Sequence, residues 1–291
     1  MSRIDKALEK AAERREEKEP KATAAASRLE QTMEKAAEKR LEGEGGAARN
    51  TAKSTGPTSP VQNLQIDHPM IFTYNDPRSP IAEEFRKIKT SIVNMVRQGE
   101  GKKSLMITSS LSGEGKSLTA INLAITLAQE YDHTVLLIDA DLRKPSIHKY
   151  FHLSPKAGLA DCLCDGTDLS SVMIRTSIGK LSFVPAGREV ENPAELLGAQ
   201  RMKALVQEVK NRYPDRFIII DSPPVLPVAE TRSLSTYVDG VLFVIRQGAV
   251  SRRHIDDALN ALHRKKVIGL VYNSIRTESL SGRYHYYYHG Y

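Results

Sequence analysis

Between Ser104 and Asn273 the chain repeats one alternation: a short unbroken apolar run, then a longer amphipathic stretch. The apolar runs are SLMIT (104–108), TVLLID (134–139), LSFVPAG (181–187), RFIIID (216–221), GVLFVIR (240–246) and VIGLVYN (267–273). Strands of continuous Val, Ile and Leu are covered on both faces, which a parallel sheet achieves by returning through helices. The intervening SPIAEEFRKIKTSIVNMVRQ (79–98), KSLTAINLAITLAQEY (116–131), PAELLGAQRMKALVQEVKNRY (193–213) and SRRHIDDALNALHRK (251–265) have helical spacing, and a further short helix precedes GVLFVIR. The expected class is α/β, a mostly parallel central sheet flanked by helices on both faces. Ligands of such sheets sit outside the carboxyl ends of the strands.

One strand end carries a phosphate-binding pattern. SLMIT runs into SSLSGEGKS (109–117) and then a helix; read from Ser110 this is S-x-x-x-x-G-K-S, with Ser at the usual first Gly. Backbone N–H groups curl around phosphate where Gly113 and Gly115 permit it, and the helix N-terminus adds positive potential. Lys116 reaches the β and γ phosphates, and the Ser117 hydroxyl suits Mg²⁺. Ser110, Ser112, Gly113, Glu114, Gly115, Lys116, Ser117 and Leu118 form the expected nucleotide cradle, with Ser112 not expected to reach phosphate through its side chain. The fold class is thus a P-loop NTPase.

Two other strands end in acid. RFIIID closes on Asp221 before Ser-Pro-Pro, the form of a Walker B carboxylate that holds the Mg²⁺ shell. VLLIDADLRKP supplies Asp139 and Asp141, then Arg143 and Lys144. Alone, each Asp also suits a helix or turn cap; in a parallel sheet with a phosphate loop, both strand ends face one crevice. Arg143 and Lys144 suit either phosphate charge or a solvated turn. Arg246 and Asn273 follow strands at the edge where adenine would lie, and a strand-terminal turn explains them equally.

The two ends read differently. Residues 1–65 are rich in Ala, Glu, Lys and Arg, then in Gly, Ser, Thr and Pro, and hold too little apolar surface to offset ordering entropy; a solvated, partly helical region is expected, with one folded domain over 66–275. Residues 276–291 end in RYHYYYHGY, placing five of the eleven tyrosines in the last eight residues. Sixteen extended residues reach roughly 50 Å at about 3.3 Å each, enough to enter a neighbouring subunit's site. The net charge of +7 is spread over interspersed signs, so nucleic acid is not an expected partner. No apolar run approaches a membrane span and the N-terminus has no signal region, so a cytoplasmic location is expected. Cys162 and Cys164 form a C-x-C pair without a second ligand cluster and are expected to be reduced and semi-buried.

TSSLSGEGKS, LLIDADLRKP, FIIIDSPPV and the tyrosine-rich end together resemble the bacterial tyrosine kinases that control exopolysaccharide and capsule production, in which these segments are the Walker A, Walker A′ and Walker B motifs. GLADCLCDG, VPAGREVENPAELLGAQRM and VIGLVYNSI extend the likeness from about residue 80 to the end. MSRIDKALEKA resembles the start of stand-alone kinases encoded with exosortase-linked polysaccharide systems. Partitioning ATPases share the fold but carry a signature lysine where this chain has Leu111.

The resemblance implies an ATP- and Mg²⁺-dependent autokinase. Asp139 would be the acceptor's base, with a share in metal binding alongside Ser117 and Asp221; Asp141 would assist the metal site, and Lys116, Asp139, Asp141 and Asp221 would be the catalytic set. Tyr284, Tyr286, Tyr287, Tyr288 and Tyr291 would be the phosphoacceptors, used in trans. The family's E-x-x-R-x-x-R assembly pattern is matched by Glu83, Arg86 and, with Lys for Arg, Lys89, implying a ring-like homo-oligomer. Expected partners are a membrane polysaccharide co-polymerase that recruits the chain to the inner membrane face, other protein substrates and a tyrosine phosphatase. A nucleotide-responsive scaffold without catalysis and a partitioning-type ATPase are the alternative readings.

Overall fold

The computed structural model describes residues 61–275, apart from 102, 131–132 and 213–214. The expectations for the N-terminal region to residue 60 and for the tyrosine-rich segment 276–291 therefore lie outside the described residues.

Seven strands form one sheet: β1 Ser104–Ser109, β2 Thr134–Asp139, β3 Ile174–Arg175, β4 Leu181–Val184, β5 Arg216–Asp221, β6 Gly240–Arg246 and β7 Val267–Asn273. Their order is β3-β4-β2-β5-β1-β6-β7. Every pairing is parallel except β3 with β4. The helices are α1 Phe72–Asn75, α2 Pro80–Met95, α3 Lys116–Ala128, α4 Ile147–Tyr150, α5 Leu159–Asp165, α6 Leu169–Val172, α7 Pro193–Gly198, α8 Gln200–Arg212, α9 Glu230–Tyr237 and α10 Arg252–Ala261. This is the doubly covered, mostly parallel α/β architecture the apolar runs require.

The alternating strand residues divide into two cores. Met106, Leu136, Ile138, Ile218 and Ile220 bury one sheet face with Val206, Val209 and Leu234, while Leu105, Ile107, Val135, Leu137, Phe217 and Ile219 bury the other with Ile121, Leu123 and Ile125. Each such aliphatic side chain contributes about 1.5–3 kcal/mol when fully buried. α3 is buried at every position except Leu118 because α2 and α1 cover its outer face. Asn122 on α3 fixes that covering: its carbonyl oxygen accepts from Thr73 N (3.1 Å) and Thr73 Oγ1 (3.0 Å), and its amide donates to Met70 O (2.9 Å).

The structure differs from the sequence reading in particular places. The helical stretch expected over 193–213 is two helices, because Ala199 adopts an extended conformation (ψ 154) between α7 and α8. The strand expected over LSFVPAG stops at Val184, before Pro185, whose ring removes the next ladder donor. The irregular middle folds into the short α4, α5 and α6 and the two-residue β3. The two free cysteines are not alike: Cys162 is buried in α5 and Cys164 is exposed. No helix among the described residues is long and apolar enough to cross a membrane.

Candidate active site

Strand order decides where the chemistry gathers. β1 lies between β5 and β6, so the loop after β1 opens at the carboxyl ends of β5 and, one strand further, β2. In the β2–β5 ladder Asp139 is the register partner of Asp221, and Ile107 on β1 is the other partner of Asp221. The two carboxylates therefore end adjacent strands at one level, beside the phosphate loop.

The loop is built from its own backbone and from its neighbours. Gly113 and Gly115 have φ of +85° and +93°, the left-handed region that favours glycine. A Cβ on Gly115 would also overlap the Asn273 side-chain amide. The buried Glu114 carboxylate accepts from Leu111 N (2.7 Å) and Arg246 N (3.2 Å), while Asn273 Nδ2 donates to Glu114 O (2.9 Å) and Arg246 Nη1 to Gly113 O (3.3 Å). Thus Arg246 and Asn273, which the sequence placed near adenine, brace the phosphate loop from the ends of β6 and β7. Val225 N and Leu226 N donate to Ser109 O and Ser110 O (2.8 and 3.1 Å), joining the loop to the segment after Asp221. Ser110 is buried, whereas Ser112 and Gly113 form an exposed lip.

The three acids divide their tasks by geometry. Asp139 accepts from Asp141 N through Oδ1 (3.2 Å) and from Ser146 N and Ile147 N through Oδ2 (both 3.1 Å), so it folds the loop back and starts α4. Asp141 pairs with Lys116 Nζ at 2.7 Å and accepts from Lys144 N at 3.0 Å. Asp221 lies 3.9 Å from Lys116 Nζ, yet among the described residues neither of its oxygens receives a hydrogen bond of ordinary geometry. The Ser117 hydroxyl lies near enough to lower its pKa, and Ser110 Oγ is likewise buried without a partner among the described residues.

Charge is unbalanced in this crevice. Burial, together with Asp221, pushes the Asp139 carboxyl up to about 8, and burial pushes Asp221 up to about 6 against the pull of Lys116. Lys116 is held above its ordinary value: burial opposes its charge, but Asp221 and Asp141 outweigh that. Three buried carboxylates face one lysine, a deficit that a bound cation would relieve. No cluster of three or more His, Cys, Asp or Glu among the described residues forms a metal cage.

The proposed assembly residues are placed on α2. Arg86 Nε pairs with Glu83 at 2.6 Å and its guanidinium also donates to Pro77 O at 2.8 Å. Lys89 turns inward instead to Glu130, at 2.5 Å, with its side chain 18% exposed. No local pattern signals that pairing, which joins residues 41 positions apart. Reasoning from sequence also missed Glu230, a buried acid on α9 paired with Arg143 Nε at 2.7 Å. Its E-T-R context suggests only a helix start, and the topology alone brings it to Arg143.

Comparison with known proteins places this geometry. Residues 102–268 match the family model described as an AAA domain. The chain is 36% identical over 224 residues to the tyrosine-protein kinase YwqD of Bacillus subtilis strain 168, covering 76% of this chain and 91% of that protein. It is 30% identical over 244 residues to the succinoglycan biosynthesis transport protein ExoP of Rhizobium meliloti strain 1021, covering 82% of this chain and 30% of ExoP. Its fold superposes on the kinase domain of the Escherichia coli tyrosine kinase ETK with a TM-score of 0.67 and 27% identity, covering 76% of this chain and 86% of that domain. The phosphate loop is accordingly a nucleotide-binding site, and a chain that spans nearly all of one tyrosine-protein kinase and shares its architecture with another belongs to the bacterial tyrosine-protein kinase family.

Proposed function

We propose that the chain uses MgATP to phosphorylate the tyrosines of its own C-terminal segment, acting in trans within an oligomer, and that this cycle regulates exopolysaccharide or capsule export. The observation that carries the reading is the buried Asp221 carboxylate, which among the described residues has no hydrogen bond of ordinary geometry and lies near Ser117 and 3.9 Å from Lys116 Nζ. An acceptor-only group left bare at zero exposure suits a hydrated Mg²⁺, which is held by one or two carboxylates and by substrate phosphates rather than by a protein cage. Ser117 and Asp221 would hold Mg²⁺, which would supply neutralisation of the charge that develops during transfer.

The chain's own residues supply the rest. Lys116, already charged and buried, exchanges Asp141 for phosphate oxygens. Gly113 and Gly115 turn loop N–H groups toward the phosphates, and the N-terminus of α3 adds its field. Asp139 takes the phenol proton. An ordinary carboxylate is about 6 pKa units less basic than a tyrosinate; burial raises Asp139 above the ordinary carboxylate range and narrows that gap. Its three backbone hydrogen bonds hold it rigid at the end of β2 while it does so. Asp141 holds Lys116 in place until phosphate takes over that contact, and Asp221 would hold the metal's water shell.

The likeness of this chain to 30% of ExoP, a succinoglycan biosynthesis transport protein, supports a polysaccharide co-polymerase as its partner. The experiment is intact-mass spectrometry of the full chain with MgATP, beside Lys116→Met and a version ending at Arg283. Successive phosphate additions that vanish in both variants are expected. A wild-type chain that stays unmodified, even with a co-polymerase's cytoplasmic segment supplied, overturns the reading.

A further inference from the structure

Arg143 follows β2 and Glu230 opens α9 after β5, so their ion pair at 2.7 Å joins the segments beyond two adjacent strands. Arg143 stands two residues beyond Asp141, the acid that holds Lys116, and its side chain is 47% exposed. Glu230 opens α9, and its side chain is 1% exposed. The backbone beneath Glu230 is fixed: Thr231 Oγ1 donates to Pro223 O at 3.2 Å, and the same carbonyl accepts from Thr108 Oγ1 on β1 at 2.8 Å. The pair therefore ties the loop after β2 to the rigid segment after Asp221.

Stability does not account for this arrangement. A bridge with one half-exposed partner gains little, and an apolar residue at position 230 would serve burial as well as or better than a desolvated carboxylate. The arrangement does fix a direction. Glu230 takes the guanidinium through Nε, at 2.7 Å, which leaves the two terminal NH2 groups as the free end of the fork.

We propose that Glu230 is a positioning residue that presents the terminal NH2 groups of Arg143 to the phosphoryl group in flight. The inference rests on the phosphoryl-transfer reading above. As the bond from the γ-phosphorus to the ADP oxygen breaks and a bond to the acceptor oxygen forms, negative charge spreads over the three equatorial oxygens; the acceptor's proton passes to Asp139. Arg143 would add a second cation to the charge that Lys116 supplies.

The test uses the full chain and two probes: MgADP alone, and MgADP with aluminium fluoride, which imitates the flat phosphoryl group whatever the acceptor. Wild type is expected to bind the second more tightly. Arg143→Ala and Glu230→Ala are expected to lose that added affinity by about 10²-fold, the scale of one transition-state donor, while MgADP affinity stays within about 2-fold and kcat falls without a matching change in ATP KM. Glu230→Gln, which keeps an acceptor for Nε, is expected to recover part of the loss; Arg143→Lys is not. The double variant is expected to be no worse than Arg143→Ala. An unchanged ratio of the two affinities in Arg143→Ala or in Glu230→Gln and Glu230→Ala, or losses that add in the double variant, overturns the proposal. Tail phosphorylation by wild type is scored separately: if it is absent while the affinity ratio responds, the acceptor assignment fails and the role of Arg143 stands.

Discussion

Asp139 and Asp221 are register partners on adjacent strands, both fully buried, and the chain offers them one shared lysine. Both carboxyls titrate above their unfolded value of 3.8, pushed by burial. The consequence for stability follows from which state releases its proton first. Below about pH 4 folded and unfolded chains are both protonated and the full stability is present; as pH rises the unfolded chain ionises first, and stability falls until about pH 8. The cation-free protein is therefore expected to have a lower Tm at about pH 8 than at about pH 5, with MgADP narrowing the difference. Asp221→Asn is expected to flatten that slope, to raise the cation-free Tm near pH 8 by roughly 3 °C, and to abolish phosphorylation. Scanning calorimetry across the window checks the sign, and a Tm that rises with pH would contradict the carboxylate assignment.

At the scale of elements, the phosphate loop is held in shape by the ends of β6 and β7. Arg246 N and Leu111 N share the Glu114 carboxylate, and Asn273 reaches across to the Glu114 carbonyl. Gly115 sits where a side chain would meet the Asn273 amide, in a backbone conformation that costs an L-residue about 1–2 kcal/mol. Gly115→Ala is expected to weaken MgADP binding by at least about 10-fold, the equivalent of about 1.4 kcal/mol. Removing the Asn273 side chain as well is expected to restore only part of it, because the strain at φ +93° remains. Titration calorimetry on the single and double variants measures both quantities.

For the whole molecule, the governing quantities are charge and assembly. The chain carries +7, and phosphorylation of five tail tyrosines would add roughly −8 to −10 at about −1.5 to −2 per site. In the ring proposed for this chain, attraction between complementary charges would then weaken as the tails fill. Glu83 and Arg86 lie on the outer surface of α2, half-exposed at 52% and 40%, and an intrahelical pair so exposed contributes under about 1 kcal/mol. Arg86→Glu is therefore expected to leave Tm nearly unchanged while reducing the oligomer to monomers. Light scattering in the presence of MgADP is the measurement. Lys89 is committed to Glu130, so Lys89→Ala is expected to loosen the seam between α2 and the end of α3 as well as the ring.

The sequence by itself determined the alternation of strands and helices, since runs such as TVLLID and RFIIID appear as β2 and β5 with the same bounds. Backbone geometry and side-chain burial act locally there, and both are written in neighbouring residues. The phosphate loop and its acids were legible for the same reason: glycine at positive φ, a helix start and strand-terminal carboxylates are local features. Only the tertiary structure decided which strand lies beside which. That order made Asp139 and Asp221 register partners, left Asp221 bare, turned Asn273 and Arg246 onto the back of the loop, drew Lys89 to Glu130, and buried Glu230 against Arg143. Each of these is a contact between residues distant along the chain, fixed by packing two cores against one sheet, and no local pattern encodes it.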